Sequence, residues 1–294
     1  MEQRITSRHN SLVKYVRALS QRKFREQEGR FVIEGVRLLE EAVKATAKTA
    51  AKVSARTTAQ FTLETVFVSS ELVQTQRIYN LFRELRKIGS KVYTVPPRVL
   101  EVMAETVSPQ GIVGVVRRAK TSETANRLTD LTQLLRQSNK TLPPLILVLD
   151  RIQDPGNLGT LLRTAEAAGV DEVWLTRGTV DPFSAKVLRS TMGSIFRVPL
   201  ATEIDYVQVL ELSQAGLKLV ATEVGVSKPY YQADLTVPLA ILLGNEGSGL
   251  AESLKLASQE VVNIPLAGEV ESLNVAVAGA ILLFEARRQR SARF

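Results

Sequence analysis

Apolar positions near the start of the chain fall at helical spacing. Leu12, Val13, Val16 and Leu19 share one face while Lys14, Arg17 and Gln21 take another, which predicts an amphipathic basic helix over 8–23. Phe31-Val32-Ile33 predicts a strand, and residues 36–45 (VRLLEEAVKA) a second helix. From Ala47 to Thr62 the pattern dissolves into Ala, Thr and Lys, the composition of a surface segment. β-prone runs recur at 65–69, 91–95 and 112–116, with a helical stretch at 72–88 between the first two. They predict a small α/β domain over 1–118. Residues 119–142 are polar and close on Pro143-Pro144, so they read as a linker.

From residue 143 the pattern changes. Residues 145–149, 172–176, 217–222, 239–243 and 260–264 are near-continuous apolar runs, the signature of strands buried on both faces. Helices fit between and after them at 158–168, 184–192, 205–215, 249–257 and about 273–290. This alternation predicts a doubly wound parallel sheet over 143–294. Ligand chemistry is then expected in the loops that follow the strand C-termini.

Composition narrows the chemistry. The 294 residues accommodate two domains, and 45% hydrophobic residues give each a core. With no cysteine and one histidine, His9, the chain holds no disulfide, thiolate or multi-histidine metal site and no cysteine nucleophile. No metal is expected. Chemistry is left to Arg, Lys, carboxylates, hydroxyls, amides and backbone. The net charge of +8 concentrates at the ends: residues 1–30 carry eight basic against three acidic side chains, and 285–294 four against one. Such ends suit a polyanionic partner, and equally a solvated face. Residues 1–20 lack an apolar signal core, and the run Val275 to Phe284 is half of the roughly 20 residues a membrane span needs. A cytoplasmic protein without membrane contact is expected.

Three loops of the second domain hold unusual residues. Asp150 to Gly159 (DRIQDPGNLG) leads into a helix that Asn157 can cap, with Arg163 almost two turns on. Residues 241–250 (ILLGNEGSGL) run from a strand into a glycine-rich turn. The turn is neither a dinucleotide fingerprint nor a P-loop, since no Lys-Ser/Thr follows. In 263–274 (NIPLAGEVESLN), Ser272 is placed to cap the last helix and Asn274 lies in its first turn. Each alone also fits a capped or tight turn with no chemistry.

Together, in this order, the runs NLGTLLRTA, LLGNEGSGL and IPLAGEVESLNVAVA resemble the three motifs of the SpoU/TrmH family of RNA 2′-O-ribose methyltransferases, members of the SPOUT superfamily. The resemblance spans about 145–290, and the N-terminal part looks like the substrate-binding domain some members carry. It implies a C-terminal SPOUT domain with a parallel sheet and a deep trefoil knot, preceded by a small α/β substrate-binding domain. It also implies S-adenosylmethionine as cofactor, and a homodimer whose active site is shared across the interface. By resemblance Gly244, Ile264 and Leu273 touch the cofactor, flanked by Leu243 and Leu266. Leu266 stands where methionine is common, a volume-conserving exchange. Residues carried over for catalysis are Asn157, Arg163, Glu246, Ser272 and Asn274.

An arginine keeps its proton to about pH 12, so Arg163 suits pinning a substrate phosphate beside the target ribose better than acting as an unaided base. Lys14, Arg17, Arg22 and Lys23 are the candidate RNA contacts. Tyr15 and Phe24 are candidates for stacking on a base or for core packing, and Trp174 reads as core. The expected activity is 2′-O-methylation of structured RNA, with 23S ribosomal RNA as target. A tRNA methyltransferase and a non-catalytic RNA-binding protein of the same fold are the alternatives.

Overall fold

The computed structural model describes residues 3–50, 61–73, 75–106, 108–119 and 142–291. The chain divides into two compact units, Met1–Thr121 with Asp181–Arg197, and Ser122–Val180 with Val198–Phe294. The expected linker, apart from residues 119 and 142, and much of the Ala/Thr/Lys segment lie outside the described residues.

The first unit is built on β1 (Gln3–Arg4), β2 (Arg30–Glu34), β3 (Phe61–Ser69), β4 (Lys91–Val95) and β5 (Ile112–Arg118), in the order β1-β4-β3-β5-β2. β4 runs parallel to β1 and β3, while β5 is antiparallel to both β3 and β2. Its helices are α1 (Ser11–Ala18), α2 (Arg22–Glu28), α3 (Val36–Ala50), α4 (Gln76–Lys87) and α5 (Pro97–Met103). The single helix expected over 8–23 is thus two. Asn10 caps α1 by accepting from the Leu12 amide at 2.9 Å. At the other end the buried Arg25 donates to the carbonyls of Leu19 and Ser20 and to Asp181, so its charge satisfies the frayed turn between the helices. Lys14, Arg17, Arg22 and Lys23 are all exposed, with Arg22 paired to Glu26 at 2.7 Å. Tyr15 and Phe24 meet edge to face at 5.7 Å and pack on the α1/α5 core, where the Tyr15 hydroxyl donates to Glu28.

Residues 181–197, expected in the second domain, complete the core of the first. Phe183 and Phe196 close an aromatic cluster with Phe31 and Phe61, and the Arg118 guanidinium lies 4.8 Å from the centre of the Phe183 ring. This segment carries α7 (Ala185–Thr191), after α6 (Pro155–Ala168) of the second unit.

The second unit holds β6 (Leu145–Leu149), β7 (Glu172–Thr176), β8 (Leu200–Ile204), β9 (Lys218–Thr222), β10 (Leu239–Leu243) and β11 (Glu260–Val262). Their order is β11-β9-β10-β6-β7-β8 and every pairing is parallel. Ile146, Val148, Trp174, Ala240 and Leu242 pack one face against α8 (Tyr206–Gln214) and α9 (Glu252–Ala257). α10 (Val275–Ser291) packs on α6 and β10. The close approach depends on Gly279, where an added Cβ would lie 2.5 Å from Leu161 and 2.8 Å from Leu243. Arg290, buried near the end of α10, donates to the carbonyls of Pro143, Leu235 and Val237 and so fastens that helix to the strand starts.

Candidate functional site

The C-terminal ends of β9, β10 and β11 open onto a cleft of about 900 Å³, the position a doubly wound sheet offers a ligand. All three sequence motifs reach it. Asn157, Leu243, Gly244, Glu246, Ile264, Leu266, Ser272, Leu273 and Asn274 line it, so nine of the ten expected site residues share one cavity.

The glycine-rich loop is closed on itself. Asn245 and Gly249 exchange two backbone hydrogen bonds of 3.0 Å, and Asn245 Oδ1 accepts from the amides of Gly247 and Ser248. Those amides are spent, so the loop is not a phosphate nest. Gly244 permits the closure, because a Cβ there would fall on the backbone of Gly249 and Leu250. The closed loop holds Glu246 against the start of α6. Its carboxylate accepts from the amides of Gln153 and Asp154 at 3.1 and 3.2 Å and from Asn157 Nδ2 at 3.0 Å. Burial pushes the Glu246 carboxyl up, but the bonds from Asn157 and from backbone amides outweigh it and hold it below the usual range. At neutral pH it is an ionised acceptor.

From Glu246 the chain of bonds runs on. Asn274 Nδ2 donates to Asn157 Oδ1 at 2.9 Å, and Asn274 Oδ1 accepts from the amides of Ala276 and Val277. Two capping expectations are corrected here. Asp154, not Asn157, caps α6, accepting from the Asn157 amide at 2.8 Å, and Pro155 takes the first helical position. Asn274, not Ser272, caps α10, because its side chain reaches the first-turn amides while Ser272 lies on the cleft wall.

Arg163 lies apart from the others. It is exposed on α6, does not line the cleft, and has no hydrogen-bonding or ionic partner among the described residues. Glu223 and Lys255, not singled out from sequence, also line the cleft as an ion pair of 2.5 Å. Asp150 and Asn245 were missed too, although an Asp at a strand end and an Asn opening a Gly-rich turn are residues that commonly organise loops.

The lining suits an adenosine-like ligand. Leu243, Ile264, Leu266, Leu273, Val275 and Ala278 give it apolar walls. The backbone N–H groups of Ile264, Leu266 and Leu273 have no protein partner among the described residues, which leaves donors on the same wall for a base edge. No group of three or more His, Asp or Glu that could hold a metal ion occurs among the described residues. None of their helices is long and apolar enough to cross a membrane.

Fold and cleft together define a two-unit α/β protein whose ligand crevice lies at the carboxyl ends of a parallel sheet. The model of the SpoU rRNA methylase family matches residues 144–284, and that of the MRM3-like substrate binding domain residues 10–114. A Synechocystis protein named as an uncharacterized tRNA/rRNA methyltransferase is 37% identical over 290 residues, covering 97% of this chain and 94% of the relative. The 23S rRNA (guanosine(2553)-2′-O)-methyltransferase RlmP of Bacillus subtilis is 32% identical over 283 residues, covering 96% and 98%. The AdoMet-bound rRNA methyltransferase of Sinorhizobium meliloti superposes with a TM-score of 0.79 at 31% identity, covering 97% of both chains. The chain belongs to the SpoU/TrmH family of RNA methyltransferases.

Proposed function

We propose that the protein transfers a methyl group from S-adenosylmethionine to a ribose 2′-hydroxyl of 23S ribosomal RNA. The observation that carries this reading is the hydrogen-bonded chain Glu246–Asn157–Asn274 in a cleft with apolar walls and backbone donors that have no partner among the described residues. S-adenosylmethionine, when bound, supplies a methyl on a positively charged sulfur. Gly244, Ile264 and Leu273 would hold it, with Leu243 and Leu266 flanking it on the cleft wall. Glu246 stays ionised and fixes Asn157, while Ser272 and Asn274 hold the target ribose. The displacement needs the hydroxyl in line with the methyl and a route for its proton.

Arg163 pins a substrate phosphate beside the hydroxyl by donating hydrogen bonds to it, and an oxygen of that phosphate takes the proton that the hydroxyl gives up. Because Arg163 does not line its own chain's cleft, it serves the cleft of a second copy. The half-exposed Val277 and Phe284 of α10 supply apolar surface for that homodimer. The exposed cations Lys14, Arg17, Arg22 and Lys23 widen the phosphate footprint of a cytoplasmic, RNA-facing enzyme. The name of the Bacillus subtilis relative supports a 23S rRNA target, and that of the Synechocystis relative keeps tRNA as the second reading.

The test is incubation with methyl-labelled S-adenosylmethionine and unmodified 23S rRNA, followed by digestion to nucleosides. A labelled 2′-O-methylnucleoside is expected. Label on a base would overturn the ribose chemistry, and label only with tRNA would move the substrate. Arg163→Ala should abolish transfer and leave cofactor affinity nearly unchanged; substantial turnover would remove the arginine from its role.

A further inference from the structure

Asp150 follows β6 directly and is fully buried; its amide donates to the Leu243 carbonyl at 2.8 Å, while its carboxylate bonds to none of the side chains assigned to the chemistry. Five side-chain or backbone donors converge on its carboxylate. Thr176 Oγ1 and Tyr206 Oη donate to Oδ1 at 2.9 and 3.0 Å, the Ala251 amide donates to Oδ2 at 3.0 Å, and Arg151 adds Nε at 3.2 Å and Nη2 at 3.0 Å. Arg151 stands in the left-handed region at φ 54°, which costs a residue with a side chain of the order of 1–3 kcal/mol unless its surroundings hold it there. In that conformation its guanidinium reaches both Asp150 and the Gly249 carbonyl at 3.3 Å, while its own carbonyl accepts from Asn245 Nδ2 at 2.8 Å.

These bonds fasten both ends of the loop that carries Glu246. Asn245 is held through the Arg151 carbonyl, and Gly249 and Ala251 through the Arg151 guanidinium and the Asp150 carboxylate. A buried carboxylate with this many donors specifies one arrangement of the loops around it, because each donor left unmatched in a dry site is costly. We infer that Asp150, closed over by Arg151, is a positioning residue for methyl transfer: it sets the place of the 245–251 loop and so the registry of Glu246 against Asn157. The inference rests on the proposed methyl-transfer reading.

The test is a double-mutant cycle on the single-turnover rate with labelled S-adenosylmethionine and 23S rRNA, using Asp150→Asn, Glu246→Gln and the double variant. Cofactor affinity and thermal midpoint are measured for each. Asp150→Asn keeps the volume but removes the charge that holds Arg151. Misplacement of a reacting group by a fraction of an ångström to one ångström costs on the order of 10- to 100-fold in rate, so a drop of that size is expected. If Asp150 acts through Glu246, the same substitution in the Glu246→Gln background should cost less than about twofold, since groups acting as one unit are not additive.

Full additivity would overturn the inference, as would an unchanged rate for Asp150→Asn in a protein that binds cofactor normally. A Glu246→Gln variant as fast as the wild type would instead overturn the role given to Glu246 in the proposed function. Should Asp150→Asn fail to fold, Arg151→Gly runs the same cycle. It removes the guanidinium, and glycine accepts the left-handed conformation without strain.

Discussion

Gly244 and Gly247 stand three residues apart in one loop, and an alanine at each should act very differently. At Gly244 the new Cβ would fall on the Leu250 nitrogen and the Gly249 carbonyl carbon, and 2.5 Å from the Leu250 Cα. An ordinary contact begins near 3.4 Å, so that backbone must retreat by about 0.9 Å or more. Such a shift breaks the two Asn245–Gly249 bonds and the bond from the Ala251 amide to Asp150, all 3.0 Å long. At about 1 kcal/mol each, with some overpacking strain in addition, the expected cost is roughly 3–5 kcal/mol. For a unit of this size that lowers the thermal midpoint by roughly 6–15 °C.

At Gly247 the nearest atom to the new Cβ is Asn245 Oδ1 at 3.6 Å, an ordinary contact, and the backbone is not left-handed. The Gly247→Ala variant should therefore unfold within about 2 °C of the wild type. The assay is thermal unfolding of both variants alongside titration with S-adenosylmethionine, and only Gly244→Ala should lose cofactor affinity. Equal behaviour of the two variants, or a Gly244→Ala protein that binds cofactor as the wild type does, would refute the claim that loop closure shapes the cleft.

Two further outcomes follow from charge. Replacing Lys14, Arg17, Arg22 and Lys23 with alanine should flatten the log–log salt dependence of RNA binding by roughly 2–4 units, with Arg22 contributing least because Glu26 already pairs it. An unchanged slope would place the phosphate footprint elsewhere. Because hydrogen bonds depress the folded-state pKa of Glu246, its contribution to stability is present above its unfolded value near 4.5 and lost as pH falls below that toward the folded value. The gap in thermal midpoint between the wild type and Glu246→Gln should therefore narrow as the pH falls below about 4.5. A constant gap would mean that the amides do not hold an ionised carboxylate.

The parallel sheet was legible because burial on both faces writes strands as unbroken apolar runs; 145–149, 172–176 and 239–243 are read off the chain to the residue. β8 escaped the same reading. As an edge strand it shows LATEI, with Glu203 exposed at φ 59°, so neither alternation nor a run marks it. The break between α1 and α2 was hidden for another reason, since apolar spacing continues through Leu19. What ends α1 is a guanidinium anchored to Asp181, a contact 156 residues away in sequence. Assignment of 181–197 to the first unit is equally non-local, resting on which aromatic rings meet.

The site was legible as a set of residues but not as a network, and the helix caps account for much of that gap. Asp154-Pro155 is the local signal for a helix starting at residue 155, since Pro suits the first helical position and Asp the one before it. With Asp154 as cap, Asn157 sits inside the first turn and its side-chain amide is not needed by the backbone. It can then donate to Glu246 from one end and accept from Asn274 at the other. Had Asn157 been the cap, its oxygen would have been committed to a helix amide and the link to Asn274 would be lost. Asn274 combines the two duties by dividing its atoms, the oxygen capping α10 and the nitrogen bonding to Asn157. Two bonds through Asn157 therefore tie the starts of two packed helices to the carboxylate of the glycine-rich loop. A substitution at Asn274 is felt by all three motifs, which local pattern treats as separate.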